Sequence, residues 1–262
     1  MKKIIAIALC ALMLAAVLCG CTASSTKGKL VLGTSADYPP FEFHMLDADG
    51  KDVIVGIDIS VAQSIAADMG LELEIVDISF DNLLTAMDKG QCDIVIAAME
   101  LDAERDLVAD FSEPYYHDLP PMIVVRADDA ANFTDLESFN GLVVGAQTGT
   151  TKALIVTDEM TGAMPLMMQS VTELVNSLVN GKCDAIVLDG AVAEKYIASN
   201  DKLVAVDISL GEAAEPYRVA VQNGDPSGLL TSINAAIKKA IDNGDIATWI
   251  EEADVLSAEA AQ

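Results

Sequence analysis

Apolar and polar residues alternate along this chain in patterns typical of strands and helices in turn. A short apolar run over residues 30–35 predicts a buried strand, and apolar residues then recur every four positions over residues 57–69, which predicts an amphipathic helix. Residues 71–77 alternate apolar with acidic side chains and predict a half-exposed strand. A second helix should end at Gly90, before a fully buried strand over residues 92–98. This order predicts a parallel sheet with right-handed crossovers.

The second half of the chain repeats the order of the first half. Residues 141–145 resemble residues 29–33 as the first strand of a unit, and residues 181–187 resemble residues 90–96. In each segment of the second pair, a glycine that can take positive φ ends a helix, and Cys-Asp then precedes a buried strand. The repeat predicts two similar αβ lobes, and two lobes imply a cleft between them.

Local signals at the ends of elements add smaller predictions. Asp81 should cap the second helix, and Asp49-Gly50 should form a hairpin turn. A last amphipathic helix should cover residues 227–243. The tail after Ala253 lacks an apolar period, so we expect it to fray.

The N-terminal segment has the pattern of an exported signal sequence. A positively charged start precedes an uninterrupted apolar stretch over residues 4–17, which is too short to span a bilayer comfortably as a permanent helix. The stretch ends in Leu-Cys-Gly-Cys, which resembles a bacterial lipobox with cleavage before Cys21 and a diacylglycerol on its sulfur. Residues 1–20 are therefore predicted to be a lipoprotein signal peptide, and residues 21–29 a flexible tether. An ordinary secretory peptide cut nearby, or an uncleaved anchor, is the alternative.

Composition and charge limit the classes of function. The chain carries 41 acidic against 15 basic side chains, a formal charge of -26, so it lacks the basic surface that nucleic-acid binding requires. Hydrophobic residues make up 52% of it, which excludes a disordered polyanion. Removal of residues 1–20 leaves 262 - 20 = 242 residues, a length that suits two domains. Cys92 and Cys183 are expected to be buried free thiols, one in each lobe.

Sequence signals for catalysis and for metal binding are missing. The chain has no Gly-x-Ser-x-Gly elbow, no Walker loop and no Gly-x-Gly-x-x-Gly motif. Its histidines are His44 and His117, and neither has Cys or His at ligand spacing nearby. We therefore expect no metal site and no cofactor.

Polar and aromatic residues follow the predicted buried strands, at the edge where open parallel sheets bind their ligands. Tyr38 and Arg105 follow strands of the first lobe. In the second lobe, residues 148–151 open a helix and offer amides and hydroxyls to an anion, and Asp189 follows a later strand. An arginine from one lobe facing an aspartate from the other is the arrangement that a zwitterion needs. The alternatives are a surface ion pair for Arg105, a helix cap for Asp189 and core packing for Tyr38.

A series of short motifs connects the chain to a known family. They are residues 33–43 (Gly-Thr-Ser-Ala-Asp-Tyr-Pro-Pro-Phe-Glu-Phe), 56–59 (Gly-Ile-Asp-Ile), 80–83 (Phe-Asp-Asn-Leu), 104–105 (Glu-Arg), 110–116 (Asp-Phe-Ser-Glu-Pro-Tyr-Tyr) and 145–150 (Gly-Ala-Gln-Thr-Gly-Thr). In their number and order, these motifs resemble those of the family 3 solute-binding proteins of ABC importers for polar amino acids. The resemblance covers residues 30–252, nearly the whole mature chain.

This resemblance implies an α/β fold of the two-lobe, periplasmic-binding-protein-like kind (type II), each lobe a parallel-rich sheet flanked by helices. Lobe 1 would comprise residues 30–114 plus 217–262, and lobe 2 residues 119–213. Two hinge strands would join the lobes, near residues 115–119 and 213–217. The family likeness further implies an extracytoplasmic location.

The resemblance also implies a role for individual residues in binding an amino acid. Arg105 would hold the ligand α-carboxylate in a bidentate pair, helped by amides near Glu100 and Thr150. Asp189 would take the α-ammonium, with the Ala98 backbone nearby. The two lobes would then close around the ligand, because each contributes half of one site.

The implied site also contains the aromatic residues Tyr38 and Phe80. Two of its positions, Ala98 and Glu100, differ from the residues that the family usually has. The ligand-binding residues predicted in this way are Tyr38, Phe80, Ala98, Glu100, Arg105, Thr148, Thr150, Thr151 and Asp189. Tyr38 and Phe80 would sandwich the ligand side chain. The family usually has Gly or Ser where Ala98 stands, and Ser or Thr where Glu100 stands. Glu100 would either turn away from the ligand carboxylate or meet a second cation on the ligand.

The resemblance implies a receptor without chemistry of its own. It would be a monomer, anchored through the lipid on Cys21 to the outer face of a bacterial membrane, and would deliver an amino acid to the transmembrane subunits of an ABC permease. One alternative is a lyase on the same scaffold acting on a small cyclic carboxylate, with Glu100 as its acid or base. Another is a sensory ligand-binding domain that works with a separate signalling partner.

Overall fold

A computed structural model describes residues 28–210 and 214–260 of the chain. The predicted signal peptide, Cys21, most of the tether and residue 213 of the second hinge lie outside the described residues. Within the described ranges, no helix combines the length and the apolar character that crossing a membrane requires.

Strands and helices follow one another along the described chain. Strands β1 to β13 are Lys29–Thr34, Asp37–Tyr38, Glu42–Leu46, Asp52–Val55, Glu72–Asp77, Ile94–Val95, Ala109–Phe111, Met122–Arg126, Val143–Gln147, Met164–Met168, Ala185–Leu188, Leu203–Val206 and Ala220–Gln222. Helices α1 to α7 are Ile57–Met69, Leu83–Asp88, Thr151–Leu154, Val171–Val179, Gly190–Ser199, Leu230–Asn243 and Asp245–Ala260. Short 3₁₀ turns cover Phe80–Asn82, Arg105–Leu107, Ala127–Asn132 and Leu136–Phe139, and the π-helical segment Ile155–Glu159 continues α3.

The strands form two five-stranded sheets, one for each lobe. The sheet of lobe 1 has the order β5-β1-β6-β13-β7, and that of lobe 2 has the order β10-β9-β11-β8-β12. The first three strands of each sheet are parallel, as the alternating pattern predicts, and the last two add antiparallel edges. A three-stranded sheet, β2-β3-β4, contains the predicted hairpin, with Gly50 at positive φ in its turn. The two-lobe α/β fold is therefore confirmed.

The two lobes share a hydrogen bond in the turn before β6 of lobe 1 and before β11 of lobe 2. This shared bond gives a physical reason for the internal repeat in the sequence. In lobe 1 the Asp93 carboxylate accepts a hydrogen bond from the amide of Val31 at 2.8 Å, and in lobe 2 the Asp184 carboxylate accepts one from the amide of Val143, also at 2.8 Å. Each aspartate thus ties its turn to the start of the neighbouring parallel strand. The cysteines before them, Cys92 and Cys183, are both free and buried, as predicted.

Three local predictions need correction. The tail after Ala253 does not fray, because α7 continues to Ala260 and buries Ala253 and Ser257. These two residues are small, so they do not continue the apolar pattern of Ile246, Trp249 and Ile250, which pack against the core earlier in the same helix. Asp81 does not cap α2, since it lies inside the preceding 3₁₀ turn and bonds to the side chains of Asn82 and Gln169. The buried strand predicted over residues 92–98 is regular only at β6, Ile94–Val95.

The chain passes twice between the lobes, and an aromatic cluster lies where it does so. The Tyr217 amide donates to the Tyr116 carbonyl at 2.9 Å, and the Tyr115 amide donates to the Tyr217 carbonyl at 3.0 Å, so the two passages are hydrogen-bonded to each other. The Phe41 ring packs edge-on against Tyr116 and Tyr217, with ring centroids 5.0 and 5.1 Å apart. This cluster lies next to the residues that line the cleft.

Candidate ligand-binding site

A cavity lies between the lobes, at the carboxyl ends of strands β1, β6, β9 and β11. All residues of the predicted binding set except Thr148 line it. The Thr148 amide instead donates to the Met168 carbonyl at 2.8 Å, continuing the pairing of β9 with β10. The prediction did not include five other residues of the wall, which are Ser35, Glu42, Ala97, Gln147 and Lys152.

Arg105 enters the cavity from lobe 1 and is buried, with 8% of its surface exposed. Its guanidinium has five N–H donors. Nε pairs with Asp102 at 3.3 Å, Nη1 donates to the Glu100 carbonyl at 2.6 Å, and Nη2 donates to the Gly149 carbonyl of lobe 2 at 2.8 Å. Five donors less these three leave two, one on each terminal nitrogen. A pair of donors on the terminal nitrogens is what a bidentate carboxylate contact requires.

The environment of Arg105 also explains its charge and its orientation. Burial lowers the pKa of Arg105, while Asp102, Glu100 and Asp189 act in the opposite direction. Its Cζ lies 5.3 Å from the centre of the Phe80 ring, within the range of a cation–π contact. The ion pair of Arg105 is with Asp102. The surface alternative would instead pair Arg105 with Glu104 or Asp106.

Asp189 enters the cavity from lobe 2, at the N-terminal cap position of α5. Its side chain makes no capping hydrogen bond, although the position would allow one. One carboxylate oxygen accepts from the Tyr38 hydroxyl, and the other pairs with the Lys152 ammonium. The carboxylate therefore faces the cavity and the opposite lobe, with 3% of the residue exposed.

Glu100 and Lys152 form an ion pair across the cleft. Lys152 Nζ lies 2.8 Å from Glu100 Oε2. The Thr151 hydroxyl donates a hydrogen bond to the same oxygen. The charge of Glu100 is thus balanced by lobe 2 of the chain itself. Lys152 was missed because a lysine after Gly-Thr-Thr, at the start of a helix, is the pattern of an exposed side chain.

Thr150 fixes the start of the helix that carries Lys152. Its hydroxyl oxygen accepts from the Ala153 amide at 3.2 Å as an N-cap, and the hydroxyl donates to the Gln147 carbonyl at 2.7 Å. These bonds set the direction in which Thr151 and Lys152 leave the turn.

Ala98 occupies a backbone conformation that favours glycine. Its φ is 45°, in the left-handed region, which gives a physical reason for the glycine that the family often has there. Its amide donates to the buried Asp58 carboxylate at 2.7 Å, and the Tyr115 hydroxyl donates to the other oxygen of that carboxylate at 2.8 Å. The buried Asp58 thus fixes the backbone of the loop at Ala98, which lines the cavity.

A second buried carboxyl group lies beside Asp58. Glu42 hydrogen-bonds with Asp58, and its Oε2 has no partner among the described residues. Burial, together with the charge of Asp58, raises the pKa of Glu42 well above its usual value of 4.5. Burial also raises the pKa of Asp58 to about 6, partly offset by the Ala98 amide and the Tyr115 hydroxyl. At least one of the two groups is therefore protonated in mildly acidic solution.

Glu42→Gln should stabilise the protein at pH 8 and have little effect near pH 4.5. A carboxyl group whose pKa is raised by folding favours the folded state fully below its unfolded pKa, and this contribution is lost as the pH rises through the folded pKa. Glutamine does not ionise and can still donate to Asp58. We expect a gain of roughly 1–3 kcal/mol at pH 8, the cost of a buried unsatisfied polar group, or about 2–4 °C in Tm for each kcal/mol. Melting curves between pH 4.5 and 8.5 measure it, with the exposed Glu251→Gln as control. Equal pH dependence of Glu42→Gln and the wild type would contradict this account.

The cavity is tightly closed. The volume open to the centre of a water molecule is about 10 Å³, whereas sites for small molecules occupy roughly 300–1,000 Å³. No cluster of three or more His, Cys, Asp or Glu residues suited to a metal ion occurs in the described ranges. The wall is thus a set of paired charges, hydroxyls and two aromatic rings.

Known proteins resemble the chain over both lobes. The family model of bacterial extracellular solute-binding proteins, family 3, matches residues 30–252. The arginine-binding extracellular protein ArtP of Bacillus subtilis (strain 168) is 34% identical over 225 residues, 85% of this chain and 84% of ArtP. A probable histidine-binding protein of Neisseria gonorrhoeae is 27% identical over 255 residues, 94% of this chain and 92% of that protein. The crystal structure of an amino acid ABC transporter substrate-binding protein from Streptococcus pneumoniae Canada MDR_19A, bound to L-arginine, has a TM-score of 0.82 and 36% identity, covering 87% of this chain and 94% of that chain.

These relatives are substrate-binding proteins rather than enzymes, so the lyase alternative finds no support among them. The likeness covers the strands of both sheets and the segments that place Arg105 and Asp189 in the cavity. The chain is an amino-acid-binding protein of an ABC transporter and belongs to the bacterial extracellular solute-binding proteins, family 3.

Proposed function

We propose that the protein captures an α-amino acid by closure of its two lobes and delivers it to an ABC permease from a lipid-anchored position outside the cytoplasm. The observation that carries this proposal is that Arg105 of lobe 1 and Asp189 of lobe 2 line one cavity with opposite charges. Residues 30–114 plus 217–262 would move against residues 119–213, with hinges near 115–119 and 213–217. A ligand that touches both lobes favours the closed state.

Each charged group has a defined part in the proposed complex. The two remaining donors of Arg105 take the ligand carboxylate, and Asp189 takes the ligand ammonium. The amides near Glu100 and Thr150 assist the carboxylate. Tyr38 and Phe80 flank the ligand side chain.

L-arginine is the first candidate ligand. The name of the 34% identical ArtP and the ligand bound in the 36% identical Streptococcus structure both give arginine. Two aromatic rings in the cavity wall offer π faces, which attract a guanidinium group. Glu42 Oε2, which has no partner within the described ranges, adds an acceptor to the same wall.

Addition of L-arginine to the purified mature protein should raise its Tm. Binding to the folded state alone stabilises by RT ln(1 + [L]/Kd), about 4.1 kcal/mol at 1,000 times Kd. The measurement is a thermal shift with each proteinogenic L-amino acid, with agmatine, which lacks the carboxylate, as matched control for L-arginine. If no amino acid shifted the Tm, the proposed function would be wrong.

The lipid anchor is proposed on the sequence alone. Leu-Cys-Gly-Cys at residues 18–21 follows the apolar stretch, and the family is extracellular. Mass spectrometry of the protein extracted from cell membranes should find a diacylglyceryl group on Cys21 as the N-terminal residue. An unmodified N-terminus elsewhere would show an ordinary secreted protein.

The protein is expected to act as a monomer.

A further inference from the structure

Lys152 lies inside the cavity as a buried cation. Only 4% of the residue is exposed, and its Nζ contacts carboxylates of both lobes. It lies 2.8 Å from Glu100 of lobe 1 and pairs with Asp189 of lobe 2. The aliphatic stem leaves from the second residue of α3, directly after the Thr150 N-cap and Thr151.

Local structure does not explain this placement. A cation in the first turn of a helix opposes the positive end of the helix dipole, and a buried ammonium loses its hydration. Burial alone would lower the pKa of Lys152, but Asp189 and Glu100 raise it above its usual value, so the ammonium keeps its charge. The two carboxylates therefore offset both costs. Asp189 does so within lobe 2, whereas Glu100 does so only when the lobes are together.

One of these carboxylates, Asp189, is the partner proposed for the ligand ammonium. Asp189 already makes its two contacts with Lys152 and with Tyr38 of the opposite lobe. About 10 Å³ of the cavity is open to the centre of a water molecule, which leaves no room for a second ammonium group beside Lys152. One of the two cations has to leave before the other pairs with Asp189. The lysine stem has rotatable bonds that let its head move to the rim of the cleft.

We propose that Lys152 is a tethered substitute for the ligand ammonium, which closes the lobes in the absence of ligand and competes with the ligand for Asp189. The proposal rests on the proposed function, because it takes Asp189 as the ammonium site. It adds that Lys152 sets the affinity of the protein and the population of its closed state. The bond from Lys152 to Glu100 crosses the cleft, so it adds a closing contact to those of Tyr38 and Arg105.

Lys152→Met removes the ammonium and keeps the length of the side chain. We expect the variant to bind L-arginine at least about tenfold more tightly than the wild type, the effect of one charged hydrogen bond. Isothermal titration calorimetry measures the affinity. The exposed Lys182 of the same lobe provides the control Lys182→Met, which makes the same change of charge outside the cavity and should leave affinity unchanged.

Small-angle X-ray scattering without added amino acid tests closure separately. The wild type should be compact, and Lys152→Met should have a larger radius of gyration because Glu100 and Asp189 then repel each other across the cleft. The double variant Lys152→Met/Glu100→Gln removes one of these charges and should return the radius toward the wild-type value. The double variant leaves one buried carboxylate rather than two without a cation, so it keeps the comparison available if the single variant does not fold.

Unchanged or weaker binding of L-arginine by Lys152→Met would overturn the competition, and an unchanged radius of gyration would overturn the role in closure. Failure of the proposed function would give a different result, in which no amino acid shifts the Tm of the wild type or of Lys152→Met. The scattering comparison would then still decide whether Lys152 holds the lobes together.

Discussion

Arg105→Ala is expected to weaken amino-acid binding at least about 30-fold and to abolish the ligand-induced rise in Tm. The guanidinium is the group in the described cavity wall with two donors left for a carboxylate, and its other donors are fixed by Asp102, Glu100 and Gly149. Loss of one partner from a buried, hydrogen-bonded charge pair costs about 2–5 kcal/mol, which corresponds to the expected loss of affinity. Calorimetric titration with the amino acid that stabilises the wild type best provides the measurement.

Two variants separate this role from a loss of stability. Arg126→Ala removes an arginine of lobe 2 that bonds to the carbonyls of Leu178 and Cys183, away from the cavity, so it should lower the Tm and leave affinity unchanged. Arg105→Lys keeps the charge without the planar fork and should give an intermediate affinity. Wild-type affinity in Arg105→Ala would remove the carboxylate contact from the proposed function.

The fold was largely predictable because its signals are local and repeated. Gly70, Gly90 and Gly181 have positive φ. Gly70 ends α1, and the other two lie in the turns before β6 and β11. In the sequence, each glycine follows the last residue of a periodic apolar pattern. The aspartates at positions 93 and 184 repeat one hydrogen bond in both lobes, so similar segments in the two halves indicate similar units. The end of helix α7 escaped prediction because its buried residues beyond Ile250 are the small Ala253 and Ser257, which a pattern of large apolar residues does not register.

The site was predictable only where position along a strand determines it. Asp189 follows β11 and Tyr38 lies just beyond β1, so the rule that ligands meet the carboxyl ends of parallel strands placed both in the cavity wall. Lys152 and Glu42 could not be found in this way, because each depends on a partner distant in sequence. Glu100 lies 52 positions from Lys152, and Asp58 is the partner of Glu42.

Several contacts across the cleft join polar or charged groups of the two lobes. Tyr38 with Asp189, Arg105 with the Gly149 carbonyl, and Lys152 with Glu100 each join one lobe to the other. All three are polar, and water satisfies the same groups when the lobes separate. In the proposed closure, a small balance of hydrogen-bond free energies would favour the closed state, and one ligand of matching charge would shift that balance.

Asp189→Asn should weaken amino-acid binding by roughly 10- to 100-fold, the value of a hydrogen bond to a charged group. Asparagine keeps the size of the side chain and can still accept from the Tyr38 hydroxyl, so the change removes the negative charge with little change of shape. Lys152 keeps Glu100 as a partner, so no buried ammonium is left alone. The affinity is measured by calorimetry, and the exposed Asp207→Asn of lobe 2 is the control for net charge.

A ligand analogue assigns the lost contact to the ammonium group. In the 2-hydroxy acid that corresponds to the bound amino acid, a neutral hydroxyl replaces the ammonium, so Asp189 has no charge to pair with. The wild type should bind this analogue weakly, and Asp189→Asn should bind it about as well as the wild type does. If the substitution instead weakened both compounds by the same factor, Asp189 would act on the shape of the cavity rather than on the ammonium. The opposite charges of Arg105 and Asp189 would then no longer explain the selection of an amino acid, whereas a loss confined to the ammonium-bearing ligand ties that selection to the pair.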